Sequence, residues 1–100
     1  MKPKYFSLTF SIGNSAAGEE IEVYIELQDR DRDLLQDGAP EVKAREIARR
    51  VGILDFLPSD INADWPNSGK LVDHETKGSW DRGIEPTIIK GTKVWILGDL

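Results

Sequence analysis

The sequence predicts an α+β domain: an antiparallel sheet made from an N-terminal and a C-terminal β-hairpin, with one main helix over about residues 40–51 packed on it. Three observations carry that expectation. Apolar and polar residues alternate over 6–12 and again over 21–28, an apolar stripe of helical period runs over 44–51, and a glycine separates two apolar runs within 88–96. One hundred residues support one core rather than two, because a divided chain would bury too little apolar surface to offset its entropy. Residues 1–100 are therefore read as a single small globular domain.

The elements follow in chain order. Phe6, Leu8, Phe10 and Ile12 alternate with Ser7, Thr9 and Ser11, which places the apolar set on one face of a strand. Ile21, Val23, Ile25 and Leu27 repeat the pattern against Glu22, Tyr24, Glu26 and Gln28. Between them, Gly13 to Gly18 holds residues that tolerate left-handed backbone angles, so the two strands are expected to form an antiparallel hairpin. Asp29 to Gln36 alternates charge sign and reads as a solvated connector with at most one helical turn.

Pro40 suits the first turn of a helix, where its missing N–H costs nothing. Ala44, Ile47, Ala48 and Val51 then form a narrow stripe of small residues that would let the helix lie close to the sheet. Glu41 with Arg45 and Glu46 with Arg50 are i, i+4 pairs in the favourable order, and Gly52 supplies the stop. Ile53, Leu54, Phe56 and Leu57 return the chain to the core before Pro58, and Ser59 to Trp65 is read as a short capped turn. From Pro66 to Pro86 the composition is that of an irregular segment, with one alternating piece at Leu71–Glu75. In the last hairpin Gly91 takes the first central position of a type II′ turn, which sets Ile89 opposite Val94 and Ile88 opposite Trp95.

Composition narrows the function. An apolar share of 39% beside 31% charged residues is that of a folded chain. No apolar run reaches 18 residues, so no membrane span is expected. Cysteine is absent, which removes disulfides and thiolate chemistry and is compatible with a reducing cytoplasm, the expected compartment. A net charge of −5 opposes non-specific contact with nucleic-acid phosphates.

Catalysis finds little to work with. His74 stands between Asp73 and Glu75, but on a strand the two acids share one face while the imidazole points to the other. A zinc site needs more nitrogen or sulfur ligands than one histidine provides. With Asp81, Asp73 and His74 are the least poor candidates for a site completed by a partner. There is no nucleophile elbow, no glycine-rich phosphate loop and no EF-hand spacing. The sequence thus predicts no catalytic residue, no metal and no cofactor.

Two surfaces remain. Glu22 and Glu26 flank Tyr24 on the strand face turned away from the apolar set, and Trp80 and Trp95 add aromatic area elsewhere. An acidic face with rigid aromatics suits a protein partner with a basic surface, so the leading expectation is a protein-interaction module of the adaptor, inhibitor or immunity kind. The apolar Ile88 and Trp95 face of the last hairpin would suit a homodimer. The alternative is nucleic-acid binding. Ala44-Arg45-Glu46-Ile47-Ala48-Arg49-Arg50-Val51-Gly52-Ile53 resembles the first helix and turn of a helix-turn-helix unit, with alanine four residues before the turn glycine and Lys43, Arg45, Arg49 and Arg50 giving local basicity. The segment that would follow as recognition helix, Leu54 to Asp60, carries Pro58 in its interior and acids at Asp55 and Asp60.

Overall fold

In the computed structural model, which describes residues 3–11, 20–35, 40–56 and 68–97, five strands form one antiparallel sheet. The strands are β1 (Lys4–Ser11), β2 (Glu20–Glu26), β3 (Ser68–Asp73), β4 (Thr87–Ile89) and β5 (Thr92–Leu97), in the order β3-β1-β2-β5-β4. The long alternating segments became its centre. A strand buried in the middle of a sheet needs partners on both edges to satisfy its N–H and C=O groups, and β1 and β2, the most strongly patterned, each have two. The loop joining them, including Gly13 to Gly18, lies outside the described residues.

The one long helix among the described residues, α1 (Pro40–Val51), spans the expected residues and lies on one sheet face. Its stripe of Ala44, Ile47, Ala48 and Val51 is fully buried against Phe6, Leu8, Phe10, Ile21, Val23 and Ile25. Close approach is made possible by Gly69 on β3, where a Cβ would stand 2.6 Å from both Ala44 Cβ and Phe6 Cε1. Gly52, at φ 71°, takes the left-handed conformation that ends a helix and donates its N–H to Ala48 O at 3.0 Å. A 3-10 turn over Ile53–Phe56 follows and buries Ile53. The side chains of Leu54 and Phe56, and all of Leu57 to Asn67 with the turn read there and Trp65, lie outside the described residues.

Three local expectations are revised. The charged connector is a seven-residue 3-10 helix, Asp29–Leu35, that docks on the core: Leu34 is buried and Asp31 is only 2% exposed. The Asp31 carboxylate accepts from Gln28 N at 3.0 Å and from Arg50 Nη1 at 3.3 Å, so each of its buried oxygens has a partner. Next, β3 begins at Ser68 and ends at Asp73, and His74 opens a 3-10 turn, His74–Thr76, instead of continuing a strand.

The C-terminal hairpin is also re-registered. Lys90 and Gly91 both have positive φ, 51° and 78°, so they are the two central residues of a type I′ turn, and Ile89 pairs with Thr92, Ile88 with Lys93 and Thr87 with Val94. The two-residue offset from the expected pairing is even, and each side chain therefore keeps its face.

Candidate functional site

The sheet face opposite α1 is built from the other half of the alternation. Cross-strand pairing lines up Val72, Tyr5 and Glu26 in one row, Lys70, Ser7, Tyr24 and Trp95 in the next, and Thr9, Glu22 and Leu97 in a third. The first two rows are partly covered by the chain after β3. There α2 (Lys77–Trp80), a single helical turn, lowers Trp80 onto the sheet.

Four rings make the contact. Trp80 stacks on Tyr24 with centroids 4.0 Å apart and planes 6° from parallel, while Tyr5 and Trp95 meet it edge to face at 5.3 Å and 5.4 Å. Trp95 lies 5.7 Å from Tyr5, and Lys77 Nζ sits 5.2 Å from the Trp95 ring. Such packing is favourable beyond the area it buries, since ring edges are positive and faces negative. Burial, the largest influence on each, raises the Tyr5 and Tyr24 hydroxyls above the ordinary tyrosine range. Tyr24 Oη donates to Glu22 Oε2 at 3.1 Å, which orients that carboxylate at the margin of the cluster.

Beside the cover the same face is open. A groove of about 640 Å³ is lined by Tyr24, Thr9, Glu22 and Lys70 from the sheet and by Trp80 and Arg82 from the covering chain. Its size lies within the span of ordinary ligand clefts, about 300–1,000 Å³. A smaller hollow of about 210 Å³ shares Thr9, Glu22, Tyr24 and Lys70 with it. Polar and apolar walls alternate, with both signs of charge present.

Of the expected partner-binding residues, Glu22, Tyr24 and Trp80 line the groove. Trp95 is buried beneath Trp80 and Lys77 and backs the site, whereas Glu26 stands two residues along β2 in the row of Tyr5, beside the groove and not in its lining. Thr9, Glu20, Lys70, Val72, Thr76, Ser79, Arg82 and Leu97 complete the groove. Alternation on β1 marked Thr9, but nothing in the irregular composition after Pro66 placed the covering chain over Tyr24.

The remaining candidates are dispersed. Arg49 pairs with Glu46 at 2.6 Å, and Arg50 is held by Asp33 at 2.6 Å, Glu46 at 2.9 Å and Asp31 at 3.3 Å. Hydrogen bonds from the guanidinium hold the Asp33 carboxyl below the usual range, and those from Arg49 and then Arg50 do the same for Glu46. Arg45 is exposed and Lys43 half-buried. After Gly52 comes the 3-10 turn at 53–56 where the resemblance to helix-turn-helix units implies a second helix, and residues 57–60 lie outside the description.

Asp73 is paired with Lys4, Asp81 with Lys77 at 2.6 Å, and exposed His74 stacks 6.5 Å from Tyr5, so the structure gives these three different partners. Among the described residues no group of three His, Cys, Asp or Glu side chains could hold a metal ion, and no helix is long and apolar enough to cross a membrane. Ile88 on β4, proposed as part of a dimer face, is 58% exposed, while Trp80 covers its companion Trp95. Compared with family models, with curated proteins and with solved structures, the chain matches none.

Proposed function

We propose that this protein is a small protein-interaction module whose partner seats a segment in the groove on the aromatic sheet face. The observation that carries this reading is the groove itself: an oriented carboxylate at Glu22 beside a tyrosine and a tryptophan, on the one sheet face that α1 leaves open. Aromatic side chains give broad contact area with few rotatable bonds to fix, and an oriented carboxylate selects a basic side chain by its charge. The chain's net charge of −5 supports a basic partner at longer range.

Nucleic-acid binding through α1 has less support, because three carboxylates already occupy Arg50 and one of them, Glu46, also holds Arg49. The test is a pair of groove variants, Glu22→Lys and Thr9→Arg, compared with Arg45→Glu on the outer face of α1. Capture of a partner from native lysate under nuclease is expected to fall by about tenfold or more for the groove variants, the loss typical of a central interface position. It is expected to be unchanged for Arg45→Glu. Equal capture by all, with melting temperatures matched, would remove the groove as the interface.

A further inference from the structure

We infer that residues 74–83 are a displaceable cover whose plug is Trp80: on binding, the indole leaves its seat on Tyr24 and an aromatic side chain of the partner takes it. This rests on the reading of the groove as the partner's site. The seat itself defines the occupant, because a flat ring at 4.0 Å on Tyr24, met edge-on by Tyr5 and Trp95, leaves a slot shaped for a planar aromatic group.

Trp80 fills that slot imperfectly. The residue is only 6% exposed, and its indole Nε1 is buried without any hydrogen-bond acceptor. A buried donor left unpaired has lost its water and gained nothing in return, so departure restores a hydrogen bond that the seat denies it.

Several side-chain hydrogen bonds of the cover are internal to it. Thr76 Oγ1 donates to Asp73 O, Ser79 Oγ to Thr76 O and Lys77 Nζ to Asp81, so these side-chain bonds all close within residues 73–81. Ties between the segment and the sheet include the ring contact of Trp80, the cation of Lys77 over Trp95 and the stack of His74 on Tyr5. Immediately after α2, Arg82 has φ 49° and Gly83 φ 75°. A side chain at positive φ is strained, and a hinge at Arg82 releases that strain when the segment swings away.

Hydrogen exchange of the Trp80 indole N–H, followed by NMR in the intact protein, tests the cover without any partner. The expected result is exchange on the order of 100-fold faster than that of the Val23 and Ile25 amides, and insensitive to low urea, as in opening below the level of global unfolding. Exchange at the Val23 rate, with the same urea dependence, would overturn the cover. The slot is tested by adding free indole to Trp80→Ala: saturable binding that shifts the Tyr24 and Trp95 resonances is expected. A folded variant that does not bind indole, or a variant that does not fold at all, contradicts a replaceable plug. Because both measurements use the protein alone, their failure leaves the groove standing as an interface. Failure of the groove variants to lose partner would remove the interface and leave the exchange result intact.

Discussion

The two faces of this sheet are held in different ways. On the α1 side, aliphatic side chains and two phenylalanines interdigitate with a helix brought close by Ala44, Ala48 and Gly69. On the other side four aromatic rings share the burial with polar neighbours, under one helical turn that leaves a groove beside it. An antiparallel sheet needs only one dry face to be stable, and the other can remain solvated. The second face of this sheet is neither dry nor plainly solvated. Large rings kept at the margin of an open groove are what recognition uses and what a solvated face does not require.

Substitutions can break or sharpen that contrast. The largest effect is expected for Phe6→Ala, which empties the centre of the helix face and should lower the unfolding free energy by about 3–5 kcal/mol in urea titrations. Trp80→Ala removes more atoms, yet as a displaceable cover it should lose about half as much or less. An equal or greater loss would make the second face a core like the first. Gly69→Ala comes next. Its new Cβ meets Ala44 Cβ and Phe6 Cε1 at 2.6 Å, and pushing α1 off the sheet should cost about 1–3 kcal/mol, with little change in the groove.

Acid should act on the helix side through Arg50. The Asp33 and Glu46 carboxyls titrate lower when folded than when unfolded, because Arg50 and Arg49 hydrogen-bond their charged forms. Their contribution is therefore complete above the ordinary carboxylate range, at about pH 4 to 4.5, and is lost as pH falls through the folded values. Arg50→Gln should flatten the decline of the urea midpoint between about pH 5 and pH 2.5. A decline as steep as in the native chain would assign acid sensitivity to other groups. The smallest effect is expected for Ile88→Ser, since Ile88 is 58% exposed: stability should change by no more than about 0.5 kcal/mol. A drop in apparent size on sedimentation would support the C-terminal hairpin as a dimer face.

Much of this fold was legible in the sequence because period is a strong signal. Alternation in β1 and β2 sorted Phe6, Leu8, Ile21 and Val23 to one face and Ser7, Thr9, Glu22 and Tyr24 to the other, as the pairing bears out. Pro40, the small-residue stripe and Gly52 bounded α1. Turn chemistry was less certain: glycine at position 91 suits either central position of a two-residue turn, and only the positive φ of Lys90 distinguishes them. Asp31 was hidden because a buried acid looks like any other until its partner, 19 residues away, is known. The groove was half legible. Glu22 and Tyr24 stood out by alternation, whereas Lys70 and Arg82 reach it through a tertiary path that no local pattern encodes.

The most direct test of the groove as the working surface is site-specific photo-cross-linking in native lysate, with the photoreactive side chain at Thr9 in the groove or at Arg45 on the outer face of α1. The expected result is one protein adduct of defined mass from Thr9, abolished by Glu22→Lys, and none from Arg45. An adduct formed from Arg45 alone, whether with protein or with nucleic acid, would contradict the account and move the site to the helix.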